Sequence, residues 1–199
     1  MKQILQDFRS GKTSIEECPA PIVKNNSIKI LTRTSLISAG TERMLINFSK
    51  GSYIEKAKQQ PEKVKQVIDK ISTDGLLTTY ESIKSKLDQP IALGYSNVGV
   101  IDEVAEGITN FKVGDRVVSN GPHADVVVVN KNLCALIPDN VDDNSAAFTV
   151  VGSIALQGIR LANPNIGENY VVFGVGLIGL ITVQLLKANG CNVLAIDFD

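Results

Sequence analysis

A short glycine-rich stretch near the end of the chain constrains its fold most strongly. Residues 174–179 read GVGLIG, after an apolar, β-prone run at 170–173. An apolar segment of helix length follows over 177–188, and residues 192–196 have the composition of a second buried strand. Asp197 comes directly after that strand. Strand, G-x-G-x-x-G, helix, strand and acidic residue together form the dinucleotide-binding fingerprint, so the sequence predicts a βαβ unit of this kind.

Each glycine of the motif has a predicted role in holding a dinucleotide. Gly174 permits the tight turn out of the strand, Gly176 lets a pyrophosphate approach the backbone, and Gly179 lets the helix pack against the sheet. The free backbone amides around Leu177 and Ile178 are expected to face the diphosphate, whose negative charge the helix dipole favours.

Asp197 is predicted to select the cofactor. It lies 18 residues beyond Gly179, close to the separation of about 20 at which a carboxylate reaches the adenosine ribose. A carboxylate there accepts hydrogen bonds from both ribose hydroxyls and repels a 2′-phosphate. The predicted cofactor is therefore NAD, with NADP disfavoured.

Two other interpretations of this stretch are open. Glycines between a strand and a helix can serve packing alone. Residues 170–186 are also apolar enough to suggest a membrane span, but the run is shorter than the roughly 20 residues required and lacks flanking basic clusters. We therefore expect no membrane insertion.

Composition excludes further classes. Twenty basic residues against 21 acidic ones leave a net charge of −1, so there is no basic excess for nucleic acid or an anionic membrane surface. Cys18, Cys134 and Cys191 are too few and too widely spaced for a disulfide framework or a metal cluster. The N-terminus has no apolar segment of signal-peptide length, and a reduced, cytoplasmic setting is expected.

Before the glycine motif the chain is predicted to be mostly β. Strands are expected at residues 3–8 and 13–18 as a hairpin, and at 27–38, 94–104, 111–118, 124–129 and 133–137. A short helix is expected from Thr41, and a longer one, capped by Asp142 or Asp143, over 145–161. Residues 53–89 show helical spacing with mixed charge and are interpreted as an inserted, solvated helical pair, with a lid or partner-binding role as the alternative.

A dinucleotide-binding sheet needs more than two strands to cover its apolar surface. The chain ends where the second predicted strand ends, and we interpret it as the N-terminal part of a longer protein.

The β region carries a second set of motifs. Residues 94–101 read GYSNVGVI, 106–108 read EGI, 113–117 read VGDRV and 155–158 read ALQG. Together they resemble the medium-chain dehydrogenase/reductase family, which includes zinc alcohol dehydrogenases and zinc-free quinone reductases. The resemblance covers nearly the whole chain apart from residues 53–89.

The resemblance implies a β + α/β chain. A GroES-like, distorted β-barrel would span residues 1–143, and the connecting helix with the beginning of a Rossmann NAD(P)-binding domain would span 144–199. It also implies an oxidoreductase that transfers hydride between a nicotinamide and a small-molecule alcohol or carbonyl in the cleft between them. Dimers are common in the family, although nothing in this sequence encodes a homodimer interface.

The zinc positions of the family carry other side chains here. Zinc-dependent members have a cysteine two positions before the threonine that matches Thr41, and this chain has Ala39 there. Their G-H-E motif supplies a histidine and a glutamate, which are replaced here by Tyr95 and Ser96. The third ligand position falls near Val151. A catalytic zinc needs about three nitrogen, sulfur or oxygen ligands, so the resemblance implies no metal site.

Without zinc, hydrogen bonds or a proton donor must stabilise the developing alkoxide. Thr41 matches the family's proton-relay hydroxyl, and Tyr95 would carry a phenol toward the cleft, so both are candidate catalytic residues. The alternative makes Tyr95 a packing aromatic and Thr41 a helix cap. His123, the only histidine, is interpreted as an ordinary strand or surface residue.

Residues 35–42 and 94–97 are similar to a zinc-free subgroup of the family. Some members of that subgroup are fused to a second oxidoreductase domain and lie near bacterial surface-polysaccharide functions, which implies a sugar or sugar-nucleotide substrate. Two other functions stay open: an NADPH-dependent, quinone-reductase-like enzyme, which Asp197 opposes, and a non-catalytic nucleotide-binding redox sensor or scaffold.

Overall fold

The structure is a computed structural model that describes residues 1–8, 10–51 and 89–198. The helical pair predicted at 53–89 lies outside the described residues, apart from residue 89, and stays a prediction. Each strand predicted before residue 143 has an observed counterpart, but the one predicted at 111–118 is wrong in extent, because a turn occupies residues 113–114 and the strand begins at residue 116. A two-residue strand that was not predicted joins them.

The elements follow one another along the chain in this order: β1 Lys2–Gln6, β2 Thr13–Glu17, β3 Ser27–Ser35, α1 Ala39–Lys50, β4 Ile91–Ala92, β5 Asn97–Val104, β6 Arg116–Ser119, β7 Val126–Asn130, β8 Cys134–Leu136, α2 Asp143–Ala146, α3 Thr149–Ala162, β9 Asn169–Phe173, α4 Leu177–Ala188 and β10 Asn192–Ile196.

The β part consists of two antiparallel sheets. One has the order β7-β3-β5-β6-β8 and the other β2-β1-β4. Alternate residues of the larger sheet point into a shared core that includes Ile28, Ile30, Ile101 and Val117. Burying each of these side chains stabilises the fold by about 1.5–3 kcal/mol.

Backbone hydrogen bonds join the two sheets at one segment. The Ile4 amide donates to the His123 carbonyl at 2.9 Å, and the His123 amide donates to the Leu93 carbonyl at 2.8 Å. An isolated bridge pairs Gln3 with Ala124 beside them. The ladders of the described residues form no closed ring, but the antiparallel β character matches the predicted GroES-like unit.

A buried glutamine ties helix α1 to the first hairpin. The Gln6 side chain is fully buried, its amide donates to Ser49 Oγ at 2.7 Å, and its carbonyl accepts from the Thr13 hydroxyl. Because a buried amide without partners is costly, these bonds hold α1 at a defined place on the sheet.

The helix predicted over 145–161 is two helices, so that prediction is wrong in extent. Asp142 caps α2, accepting from the Ser145 amide at 2.9 Å. The chain then turns at 147–148, where the Ala147 carbonyl accepts a 2.6 Å hydrogen bond from the buried Ser96 hydroxyl. The second helix, α3, ends at Asn163 in a left-handed conformation (φ 48°).

The last three elements form the predicted βαβ unit. Strands β9 and β10 pair in parallel, and α4 spans the predicted residues 177–188. Ile159 of α3 packs against Leu186 of α4 and Cys191. The division into domains at residue 143 stays a prediction. In the described part of the chain, no helix has the length and apolar character needed to cross a bilayer.

Candidate active site

The glycine motif forms a tight loop between β9 and α4. Gly174 has φ +87°, a conformation that side chains other than glycine rarely adopt, and its amide donates to the Ile196 carbonyl at 2.8 Å. A Cβ on Gly179 would lie 1.8 Å from the Gly174 carbonyl oxygen. Its close contact is therefore with the loop rather than with the sheet, where Val172 Cγ1 would be at an ordinary 3.8 Å.

The start of α4 has the features of an anion cradle. Gly176 is the N-cap residue, no side chain caps the helix, and the first turn contains no acidic residue. A Cβ on Gly176 would meet no atom within 4 Å, so space is open above the loop. The amides of Leu177 and Ile178 begin the helix, where backbone donors lack intrahelical acceptors and the dipole is positive. These features fit a diphosphate.

A cavity of about 530 Å³ lies between this loop and the start of α1. This volume is within the usual range for small-molecule sites. Its lining consists of Ser38, Ala39, Gly40, Thr41, Val172, Phe173, Gly174, Gly176, Leu177, Ile178, Gly179 and Thr182. The fold therefore brings Thr41 to the same cavity as five of the six predicted cofactor residues.

Thr41 and Tyr95, the two candidate catalytic residues, lie together. The Tyr95 hydroxyl donates to Thr41 Oγ1 at 3.5 Å, a long and weak hydrogen bond. Tyr95 is half-buried and stands behind Thr41 rather than on the cavity wall. The N-cap residue of α1 is Ser38, so the alternative that Thr41 caps the helix is wrong.

Asp197, the sixth predicted cofactor residue, stands beside the loop at the carboxyl end of β10. Its carboxylate accepts from the Val175 amide and from the Phe198 amide, both at 2.7 Å. These hydrogen bonds hold the pKa of Asp197 below its ordinary value, the Val175 amide contributing most. The side chain is exposed and outside the cavity lining, and its contact with a ribose stays a prediction.

His123 is a functional candidate that sequence reasoning missed. The interpretation of His123 as an ordinary strand or surface residue is wrong, since the residue is 6% exposed. Its Nε2 lies 3.0 Å from Oε2 of the buried Glu42, and its Nδ1 lies 2.8 Å from Ser35 Oγ. Only folding brings Glu42 and His123 together across 81 residues, so no local sequence signal could have paired them.

The positions that the resemblance aligns with the family's zinc ligands hold other side chains. Ala39 opens α1, Ser96 is buried and bonded to the Ala147 carbonyl, and Val151 is fully buried. Of these side chains and Tyr95, none is a carboxylate, an imidazole or a thiol. In residues 1–8, 10–51 and 89–198, no three His, Cys, Asp or Glu side chains are grouped to hold a metal ion.

The fold and the cavity define a class of protein: a predominantly antiparallel β unit joined to a dinucleotide-binding βαβ unit, with a cleft between them. Residues 69–156 match the alcohol dehydrogenase GroES-like domain family. This match, with the relatives and structures below, shows that the chain is similar to the N-terminal part of medium-chain dehydrogenase/reductase proteins.

Two relatives show the extent of the sequence similarity. The (R,R)-butanediol dehydrogenase of Bacillus subtilis (strain 168) is 29% identical over 130 residues, which cover 52% of this chain and 38% of that protein. The D-guloside 3-dehydrogenase of Escherichia coli (strain K12) is 34% identical over 105 residues, 51% of this chain and 30% of that protein.

Solved structures confirm the fold. Galactitol-1-phosphate dehydrogenase from Escherichia coli superposes with a TM-score of 0.72 at 20% identity, covering 100% of this chain and 56% of that one. Escherichia coli quinone oxidoreductase, solved with NADPH, superposes with a TM-score of 0.71 at 16% identity, covering 98% and 52%. The chain thus spans little more than half the length of these structures.

Proposed function

We propose that the protein is an NAD(P)-dependent oxidoreductase that transfers hydride between a nicotinamide and a small-molecule alcohol or carbonyl. The observation that carries this proposal is the shared cavity of Thr41 and the glycine loop. A hydroxyl that can polarise an oxygen and a loop that can hold a diphosphate face the same space. That arrangement suits a substrate bound beside the reactive end of a dinucleotide.

The cofactor would be held mainly by backbone groups. The open space at Gly176 accommodates the diphosphate, the amides of Leu177 and Ile178 donate to it, and Asp197 takes the adenosine ribose. The nicotinamide supplies the hydride-transfer chemistry. The negative charge of Asp197 favours NAD over NADP.

The closeness of the Tyr95 and Thr41 hydroxyls supports a role in polarising the substrate oxygen. Their oxygens lie 3.5 Å apart, so when the Tyr95 hydroxyl donates to Thr41 Oγ1, the Thr41 hydrogen is free to donate toward the cavity that Thr41 lines. A hydroxyl that accepts one hydrogen bond becomes a better donor of the next. Thr41 would therefore donate to the developing alkoxide, with Tyr95 supporting it from behind.

We further propose that this chemistry is independent of zinc. The side chains at the family's ligand positions supply too few donors for a catalytic zinc, which takes about three protein ligands. The substrate is proposed to be a polyol, sugar or sugar nucleotide. The names of D-guloside 3-dehydrogenase and galactitol-1-phosphate dehydrogenase favour this class, although they describe those proteins.

A second candidate is an NADPH-dependent quinone reductase. The likeness to a quinone oxidoreductase solved with NADPH favours it, whereas Asp197 opposes a 2′-phosphate. A non-catalytic nucleotide sensor is the third candidate, and turnover of any carbonyl substrate would exclude it.

Calorimetric titration of the purified protein with NADH and with NADPH, with metal analysis of the same sample, tests the proposal. We expect NADH to bind more tightly than NADPH and the sample to contain no stoichiometric zinc. Binding of neither nucleotide would refute the cofactor assignment. Stoichiometric zinc would refute the zinc-independent mechanism, and a preference for NADPH would favour the quinone reductase.

A further inference from the structure

We propose that His123 is a positioning residue for the cleft: its imidazole holds the first turn of α1, which carries Thr41, and seats the backbone that carries Tyr95. The effect of His123 on turnover rests on the proposed function, whereas its effect on the positions of Thr41 and Tyr95 does not. His123 itself does not line the cavity.

The link from His123 to Thr41 passes through Glu42. Oε2 of Glu42 lies 3.0 Å from His123 Nε2, while Oε1 accepts a 2.8 Å hydrogen bond from the Ser38 amide. Glu42 and His123 are both at least nine-tenths buried, and so is Ser38. One carboxylate thus connects the imidazole to the N-cap of α1, three residues before Thr41. Because each group is buried, losing either bond leaves a polar atom without water to replace its partner.

The link from His123 to Tyr95 is a direct packing contact with Gly94. Gly94 has φ +91°, and a Cβ there would lie 2.7 Å from three atoms of the imidazole ring. The ring therefore lies directly against the Gly94 backbone, one residue before Tyr95. Thr41 and Tyr95 come from segments far apart in the sequence, and the same imidazole sets the position of both.

The contacts also assign the tautomer of His123. A Glu42 carboxylate accepts hydrogen bonds at both oxygens, so Nε2 must carry the hydrogen that faces it. Nδ1 then accepts from the Ser35 hydroxyl. Ser35 and His123 line a separate surface groove of about 360 Å³. For a neutral imidazole, the arrangement therefore predicts a single tautomer, with hydrogen on Nε2.

Two substitutions separate the two hydrogen bonds of the ring. Glutamine can place its amide nitrogen near the position of Nε2, so His123→Gln retains a donor to Glu42 and loses the Ser35 contact. Asparagine can place its carbonyl oxygen near the position of Nδ1, so His123→Asn retains an acceptor for Ser35 and loses the Glu42 contact. Ser35→Ala is the matched control, because it removes the Ser35 contact and leaves the imidazole in place.

The first measurement is the tautomer of His123, the single histidine of the 199 residues. Nitrogen NMR of a tag-free protein at mildly alkaline pH reports it, and His123→Gln, which lacks the imidazole, assigns the signals. We expect a protonated Nε2 and an unprotonated, hydrogen-bonded Nδ1. An equal mixture of both tautomers, or hydrogen on Nδ1, would overturn the proposal.

The second measurement compares turnover by the variants, with circular dichroism to confirm that each is folded. Since misplacing a reacting group by about 1 Å can cost roughly 100-fold in rate, we expect His123→Asn to lower kcat by about that factor. His123→Gln and Ser35→Ala should stay within about tenfold of wild type. The NADH dissociation constant should not change, because the glycine loop is untouched. Equal losses in both histidine variants would show that the Glu42 bond does not position the site.

Failure of the proposed oxidoreductase function can be told apart from failure of the positioning role of His123. If the wild-type protein binds no nucleotide and has no turnover, the oxidoreductase assignment fails while the NMR measurement still decides the role of His123. An NMR contact between the side chains of Thr41 and Tyr95, whose hydroxyl oxygens lie 3.5 Å apart, then serves as the readout. It should persist in His123→Gln and weaken in His123→Asn, and its persistence in both would overturn the positioning role.

Discussion

The Asp197 carboxylate accepts a hydrogen bond from the Val175 amide at 2.7 Å. This bond joins the end of β10 to the middle of the glycine loop, so the acidic residue of the fingerprint also stabilises the loop. The bond lowers the pKa of Asp197. The proposed selection of the cofactor and the observed geometry of the loop therefore depend on one carboxylate.

Replacing Asp197 should affect both properties. We expect Asp197→Asn to weaken NADH binding and narrow the preference for NADH over NADPH, measured by calorimetry, because the variant no longer repels a 2′-phosphate. Since the folded-state pKa is lowered, the carboxylate stabilises the fold fully above its unfolded value of about 3.9, and this contribution is lost as pH falls through the folded-state value. The stability difference between wild type and Asp197→Asn should accordingly disappear at strongly acidic pH. A difference that is constant with pH would contradict this account.

Two glycines of the same motif should behave in opposite ways. Gly179→Ala places a Cβ 1.8 Å from a backbone carbonyl, so we expect a loss of about 1–3 kcal/mol in the free energy of unfolding. Gly176→Ala meets no atom within 4 Å and should cost less than about 1 kcal/mol as an N-cap change.

Nucleotide titration completes that comparison. Gly176→Ala should weaken NADH binding although the protein stays folded, because the methyl group occupies the space left for the diphosphate. Unchanged affinity in Gly176→Ala would place the diphosphate elsewhere, and an unaffected melting temperature in Gly179→Ala would contradict the loop geometry.

The packing of His123 against Gly94 can be measured with a glycine pair. Gly94 and Gly107 both have positive φ, but a Cβ on Gly94 would meet the imidazole at 2.7 Å whereas one on Gly107 would meet no atom within 4 Å. Gly107→Ala should cost about 1–2 kcal/mol from backbone strain alone. Gly94→Ala should cost about 1–3 kcal/mol more through overpacking, as seen in denaturant unfolding. Equal costs would mean that the ring can move aside.

The proposed roles of Thr41 and Tyr95 predict a graded loss of turnover. Thr41→Val removes the hydroxyl that faces the cavity and should lower kcat by roughly 100-fold or more, the usual range for a positioned acid or oxyanion donor. Tyr95→Phe removes only the supporting donor at 3.5 Å and should cost about tenfold or less. Thr41→Ser, which keeps the hydroxyl, is the control. Unchanged turnover in both Thr41→Val and Tyr95→Phe would remove the pair from the mechanism.

A salt bridge fixes the start of α2 to the β sheet. Asp143 Oδ1 accepts from Arg116 Nη2 at 2.7 Å and from Nε at 3.1 Å, which lowers the pKa of Asp143. Asp143→Asn should cost at most about 1 kcal/mol near neutral pH, as is usual for accessible pairs. The loss should vanish as pH falls through the lowered pKa of Asp143. Arg33→Gln is the control, because Arg33 is exposed and 3.5 Å from the same carboxylate.

The local elements could be predicted because their signals lie within short windows. The glycine motif, the apolar run of α4 and the alternating strands each follow from periodicity and turn residues. The prediction of one helix over 145–161 is wrong at residues 147–148, where the Ser96 hydroxyl donates a hydrogen bond to the Ala147 carbonyl. Ser96 is about fifty residues away, and periodicity carries no information about such a partner.

The sequence by itself determined the βαβ unit, the order of the β elements and the residues of the glycine loop, because these depend on neighbouring residues. Only the tertiary structure decided that Thr41 faces that loop, that Tyr95 lies next to Thr41, and that Glu42 contacts His123. These relationships join segments far apart in the sequence: Glu42 and His123 are separated by 81 residues, and the glycine loop lies still farther from Thr41 along the chain. They follow from how two antiparallel sheets and a βαβ unit pack around shared cores, and side-chain pairing across such distances is set by packing rather than by local propensity.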